Sequence, residues 1–180
     1  MKSNLTGILK KKLKKLFFSV FWYEVTGKKR ISIKKKNFRL VVVKSKRDVS
    51  KTFLKEYFKR HYHKLKRLNS KFYFLVLVKE KKFLSSGWIY FGSKWKITEV
   101  DKYINLNRKL LLFDFETPQK FRNRGYYQLL LKFIRNKFIN KKLAIYSFST
   151  NKKKQKSNLQ GWFYISKKNL WFMKLKYFLK

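Results

Sequence analysis

No cysteine occurs in the 180 residues, proline occurs once, glycine six times, and only eight side chains are acidic. The missing thiols remove disulfides, thiolate nucleophiles and Cys-ligated zinc together, so a cytoplasmic, metal-free protein is the expectation. Long apolar runs are missing too. The purely apolar stretch Leu16 to Tyr23, with Ser19 inside it, falls well short of the roughly 20 residues that a helical span needs. No small-residue cleavage site follows it, which argues against a signal peptide. There is no internal repeat and no linker rich in Pro, Gly or Ser. With turn residues so scarce, the pairing of Pro118 and Gly125 within "ETPQKFRNRGYYQLLLKF" (116–133) marks a loop whose backbone shape matters.

What is abundant is positive charge. Lys and Arg number 49 and the formal net charge is +41, against roughly 2 to 8 units for an ordinary small domain. Alanine occurs once, as Ala144, as A/T-rich codons would give; Asp and Glu codons tolerate such a bias nearly as well. The excess of cations is therefore read as functional, drawing anionic partners by electrostatic steering. Nucleic acid, anionic lipid and phosphorylated ligands all qualify. Disorder is excluded by an apolar share of 44% with 19 Phe, 11 Tyr and 5 Trp.

Residues 1–27 read as a basic amphipathic segment and 28–180 as one α/β domain. In the former, Leu5, Ile8, Leu9, Leu13, Leu16, Phe17 and Val20 fall on one stripe of an expected helix, with Lys10 to Lys12, Lys14 and Lys15 largely off it. Five lysines at about 1 kcal/mol each over an anionic leaflet give only submillimolar attachment, so a peripheral place on the inner face of the membrane, through residues 5–23, would need the apolar stripe as well. Packing on its own domain is the other reading of this helix. Then come a strand in "NFRLVVVKS", a helix in "DVSKTFLKEYFKRHYHKLKRL" capped by Asp48 or Ser50, and a hairpin from Phe72 to Phe91 turning at Lys79 to Lys82. Phe53, Leu54, Tyr57, Phe58 and Tyr62 are the expected buried face of that helix. A looser stretch precedes the strand "RKLLLFDFETP", the helix "YYQLLLKFIRNKFI", the strand "KLAIYSFST", a polar loop or short helix, and a terminal pair of strands. Hairpins in the middle argue against a doubly wound parallel sheet, while the strand-helix-strand unit from Lys109 to Ser149 needs one parallel pair. The sheet is expected to be mixed, mostly antiparallel, and flanked by helices.

A strand running into a tight loop that opens a helix directs unpaired N–H groups and the positive end of the helix dipole at one point, which suits an anion. Lys120, Arg122 and Arg124 add charge there, and Arg pairs bidentately with phosphate oxygens. The loop matches neither GxxxxGKS nor GxGxxG.

Residues Arg122, Asn123, Arg124, Gly125, Tyr126 and Tyr127, after Pro118, resemble the [Q/R]xxGx[G/A] signature of the GCN5-related N-acetyltransferases; "TPQKFRNRGYY" is similar to the subset in bacterial surface-polysaccharide clusters. Asn123 stands where glycine is common and Tyr127 where a small residue is usual; Asn tolerates left-handed backbone better than most residues. Asn151, followed by Gly161, Trp162 and Phe163, resembles the family's second landmark. The resemblance implies an acetyltransferase-like domain over 28–180 in which the acetyl-CoA pyrophosphate lies on the N–H groups of Arg122 to Tyr127. The pantetheine would run beside Phe113, Phe115 and Thr117 and meet Asn151. The thioester carbonyl would accept an N–H near Phe115, and the acceptor would be a small amine, of an amino sugar or another anionic metabolite.

Direct transfer needs a base and an acid. Asp114 and Glu116 alternate along one strand and share a face, with Glu99 and Asp101 upstream. Glu116 is the favoured base and Asp114 the runner-up. Ser157 occupies the position where the resemblance would place a tyrosine acid, which leaves Tyr164, Tyr146 or water. His61 and His63, two apart on a helix, point to different faces and make a poor metal pair. "SSG" at 85–87 has no partnered histidine. Lysines interleaved with aromatics keep nucleic-acid binding as the alternative function, and a non-catalytic membrane-surface role rests on residues 5–23.

Overall fold

Runs of β-branched and aromatic residues build the sheet. The computed structural model describes residues 19–26, 30–33, 37–50, 52–98, 102–148 and 163–169. Its strands are β1 Ser19–Thr26, β2 Phe38–Val43, β3 Phe72–Lys79, β4 Lys82–Tyr90, β5 Lys94–Ile97, β6 Lys102–Asn105, β7 Leu110–Glu116, β8 Lys142–Phe148 and β9 Phe163–Asn169. Helices are α1 Thr52–Arg60, α2 Tyr62–Leu65 and α3 Tyr126–Lys137. Seven strands form one sheet in the order β2-β3-β4-β7-β8-β1-β9, and β5 with β6 forms a separate pair. The sheet is mixed and mostly antiparallel: β7 and β8, joined through α3, are its parallel pair, and the remaining neighbours run antiparallel.

Helices cover both faces, which explains why β3 and β4 read as nearly continuous apolar runs. Alternation along β3 sends Leu75 and Leu77 to the face packed by Leu129, Leu130 and Ile134 of α3. Phe74, Val76 and Val78 go to the other face, against Leu54, Tyr57 and Phe58 of α1. Each such side chain taken fully out of water contributes about 1.5–3 kcal/mol. In α3, Leu131 is buried as well, while Phe133 and, just past the helix end, Phe138 pack at the margin.

Several sequence expectations are corrected. The helix expected to carry the stripe from Leu5 to Val20 does not reach its end: from Ser19 the chain is strand β1, inserted between β8 and β9. Its alternation, with Tyr23 and Val25 buried, is a strand period that the lysine-spaced apolar stripe upstream disguised. Residues 1–18, and with them most of the supposed membrane stripe, lie outside the described residues. The single helix read from Asp48 onward is broken at His61, whose φ of −126° and ψ of 46° are not helical. In consequence Tyr62, expected inside, is 65% exposed. Asp48 does not cap α1: its Oδ2 accepts the N–H groups of Lys44 and Ser45 at 2.8 and 2.9 Å, closing the turn after β2. The looser stretch after β4 contains the β5–β6 hairpin, whose short charged strands gave too little alternation to be seen.

The β3–β4 hairpin turns on two residues, Glu80 and Lys81, with φ of 49° and 65°. Left-handed backbone at both central positions matches the right-handed twist of the flanking strands, yet asparagine and glycine are its usual occupants. For residues with a Cβ, the conformation costs about 1–2 kcal/mol each.

The two N–H groups on Asp48 hold its carboxyl below the usual carboxylate value. A carboxyl lowered in the folded state stabilises above its unfolded value, and that stabilisation is lost as pH falls through the folded value. Asp48→Asn is therefore expected to lower stability at neutral pH and to match the parent protein in strong acid, as read by denaturation at a series of pH values.

Candidate active site at the end of strand β7

The end of β7 departs from regular sheet in two ways. Opposite β4, Ser86 pairs with Glu116 and Trp88 with Phe113, so the register slips by one residue between them. Asp114 takes up the slip with φ of 49°, a bulge that bends the strand. Opposite β8, pairing covers only Leu110, Leu111 and Leu112 with Leu143, Ala144 and Ile145. From Phe113 onward β7 leaves β8, and Tyr146 is the first residue of β8 past the fork.

Gly87 fits the bulge. A methyl group there would overlap the Phe115 ring, which lies over the glycine and meets Tyr127 edge to face at 5.0 Å between centroids. This accounts for a large residue at position 127: its ring packs on β7, and burial raises its phenol above the ordinary tyrosine value. Thr117 follows, its hydroxyl 2.9 Å from that of Ser85. The Thr117 carbonyl accepts Nε of Arg122 at 3.1 Å, which pins the loop back on the strand end.

After Pro118 a 3-10 turn, Gln119–Phe121, leads to Asn123 with φ of 60°, the left-handed backbone that asparagine tolerates. Gly125 precedes α3 with φ of 73° and ψ of 12°, and the helix start has no side-chain cap. A Cβ at Gly125 would meet only Oε1 of Gln128, at 3.5 Å. The glycine is therefore required by its backbone angle rather than by crowding. The first intrahelical bond runs from Leu129 N–H to the Gly125 carbonyl at 3.0 Å; the N–H groups of Tyr126 and Tyr127 precede it and have no acceptor within the helix. Arg122, Asn123, Arg124 and Gly125 are exposed, and Tyr126 rests on Phe38 and Phe121.

The two strand carboxylates converge on side chains of α1, α2 and the residues that join and follow them. Asp114 accepts from Lys64 Nζ and Arg67 Nη1 at 3.2 and 2.6 Å. Glu116 accepts the Tyr57 hydroxyl at 3.2 Å, with Lys64 Nζ at 3.6 Å and His61 Nε2 at 3.7 Å. Lys64 also donates to the Tyr57 oxygen at 3.4 Å. Burial first, and then the Glu116 charge, push the Tyr57 phenol above its ordinary value, so it stays a donor through the neutral range. Arg67 is stacked over the rings of Trp88 and Phe113. Asp114 is thus enclosed by two cations, whereas Glu116 lines a cleft of about 900 Å³ with Tyr57, Phe53, Phe83 and Pro118 to Arg122.

Sequence reasoning placed Tyr57 in the buried face of its helix, as found, but gave no role beside Asp114 and Glu116 to Tyr57, His61, Lys64 or Arg67. Their spacing of four, three and three residues places them on one helical stripe, a signal submerged by the number of lysines around it. Asn151, Ser157, Glu99 and Asp101 lie outside the described residues, as do the side chains of β9, including Tyr164. Among the described residues no group of three metal-ligating side chains comes together.

No protein-family model matches the chain, and no curated protein matches it in sequence. Solved structures resemble its fold. A functionally unknown conserved protein from Staphylococcus epidermidis superposes with a TM-score of 0.56 at 13% identity, over 89% of this chain and 64% of its own. A GNAT-family acetyltransferase from Colwellia psychrerythraea gives 0.44 at 12% identity, over 82% of this chain and 53% of its own. A GCN5-related N-acetyltransferase-like protein from Streptococcus suis gives 0.47 at 7% identity, over 92% and 66%. The chain spans less than two thirds of the length of each. At these identities the likeness is one of fold alone, and it rests on the first.

Two substitutions probe the site's construction. Lys64→Met removes the ammonium that both carboxylates face and is expected to destabilise by about 1–3 kcal/mol, seen as a lower urea midpoint at unchanged slope. Gly87→Ala is expected to cost about 1–3 kcal/mol through overpacking against Phe115, measured in the same way.

Proposed function

We propose that the chain is an N-acetyltransferase that moves an acetyl group from acetyl-CoA to an amine. The observation that carries this reading is the coincidence, at one strand end, of three features. These are the fork between β7 and β8, the uncapped start of α3 behind the left-handed Asn123 and Gly125, and Glu116 at the wall of a cleft. A strand edge without a neighbour offers backbone groups to an extended amide-bearing chain such as pantetheine, on the side of Phe113, Phe115 and Thr117. The helix start and the cations Lys120, Arg122 and Arg124 suit a diphosphate. Asn151 would complete the set.

Acetyl-CoA, when bound, supplies an acyl thioester already activated toward amines. The protein has to take up a proton from the incoming ammonium, and Glu116 is the group suited to it. The hydroxyl of Tyr57 and the ammonium of Lys64 hold one of its oxygens from the protein side and so fix its direction. Asp114, clasped by Lys64 and Arg67, orients Lys64 rather than facing the cleft. The developing negative charge on the carbonyl oxygen is assigned to an N–H at the bulge near Phe115. The proton for the leaving sulfur is assigned to Tyr146, just past the fork, with Tyr164 or water as the other sources.

Acetyl-CoA at millimolar concentration is expected to raise the melting temperature of the purified protein, and Gly125→Val to reduce that rise; no shift in the parent protein overturns the donor assignment. Glu116→Gln should leave the shift intact while lowering kcat for amine acetylation by about 10²–10⁴-fold at neutral pH, with the loss shrinking as alkaline pH deprotonates the amine without help.

A further inference from the structure

The cleft at Glu116 is lined by cations from two separate sources. Lys120 and Arg122 belong to the loop after β7, where the donor reading uses them. Arg60, on the last turn of α1, and Lys81 and Lys82, at the β3–β4 turn, are left over. Among the described residues none of these three takes part in an ion pair, and the one acid of the turn, Glu80, is paired with Lys79 at 3.6 Å. Glu56, from α1, and Glu116 are the acids of the lining, so cations outnumber them by more than two to one.

The turn that carries Lys81 has a second peculiarity. Its two-residue geometry demands left-handed backbone at both central positions, and a sequence selected for stability alone would use asparagine and glycine there. Strained backbone of this kind is retained where the side chain it presents has a use. Electrostatics supplies one. An amine in solution is an ammonium ion, and it must approach a chain of net charge +41; an acceptor that brings its own negative group is drawn in where a bare ammonium is turned away.

Resting on the acetyltransferase reading above, we propose that Arg60, Lys81 and Lys82 form an anion subsite for the acceptor. The acceptor is an amine that also carries a phosphate or carboxylate group, the amine directed at Glu116 and the anion held by these three cations, with Phe53 and Phe83 packing against the body between them. Lys81 sets specificity and takes no part in the chemistry. Because glycine fits the turn better than lysine, Lys81→Gly separates binding from folding: the backbone is relieved while the cation is lost.

The test uses the full chain, the parent protein beside the double variant Lys81→Gly/Lys82→Gln, and acceptors in matched sets: ethanolamine against its phosphate ester and β-alanine, and glucosamine against its 6-phosphate. The parent protein is expected to prefer the charged member by about tenfold or more in kcat/KM, and the double variant to lose about tenfold of that preference, with no fall in melting temperature and no change in the KM for acetyl-CoA. The phosphate ester and β-alanine together decide between phosphate and carboxylate. A preference that survives in the variant, a parent protein favouring the neutral amines, or a rise in the acetyl-CoA KM instead, overturns the subsite. Melting in inorganic phosphate against chloride at equal ionic strength reads the subsite without catalysis. A phosphate-specific stabilisation that Lys81→Gly abolishes supports it even where acetyl-CoA fails to bind and the transferase reading falls, and its absence counts against it.

Discussion

Lys64 is the one charged side chain buried among the described residues, with 9% of its surface exposed, and the cleft is arranged around it. An ammonium withdrawn from water is tolerated only when its charge is answered and its protons are bonded. Asp114, Glu116 and the Tyr57 hydroxyl do this together, and in doing so they tie α1 and α2 to the end of β7. The protein has eight acids against 49 bases, yet two of them meet at this one lysine. Had Lys64 faced solvent, Glu116 would keep only the Tyr57 hydroxyl and the more distant His61 to direct it.

The bulge at Asp114 belongs to the same arrangement. A left-handed aspartate in a strand is unfavourable by itself, and its two cation partners offset that. The slip in register then gives Phe115 the space above Gly87 and carries β7 away from β8. Local strain, a missing side chain and an ion cluster thus converge on a few residues, whereas the sheet away from them is regular.

How much of this could be read beforehand follows from the physics of each element. The hairpin of β3 and β4, the strand-helix-strand unit of β7, α3 and β8, and the loop with Pro118 and Gly125 were legible because burial on both faces, helical periodicity and turn chemistry each leave a strong local pattern. Strand β1 was not, since its alternation is only a few residues long and abuts an apolar stripe of helical spacing. The break at His61 has no proline or glycine to announce it. Asp114 and Glu116 were visible as scarce acids on one strand, but that one is enclosed by cations and the other faces the cleft depends on α1 and α2, which meet β7 only in three dimensions. The part that Tyr57, His61, Lys64 and Arg67 play at the site was hidden for the same reason: what they do is defined by a partner some 50 residues away in sequence.

The place of β1 in the sheet bears on how the molecule is assembled. Val20 pairs with Phe148 and, on its other edge, with Lys168, so this half of the sheet is stitched entirely from segments distant along the chain. Closing such large loops is entropically slow. The β3–β4 hairpin, whose strands are joined by two residues, and β2, which reaches it through the segment carrying α1 and α2, can form while the polypeptide is still being made. The far half must wait for β8 before β1 has any edge to join, and β9 in turn has no place until β1 has taken its own. During synthesis, then, β1 emerges well before either strand it pairs with, and it has no sheet edge to join until β8 has been made.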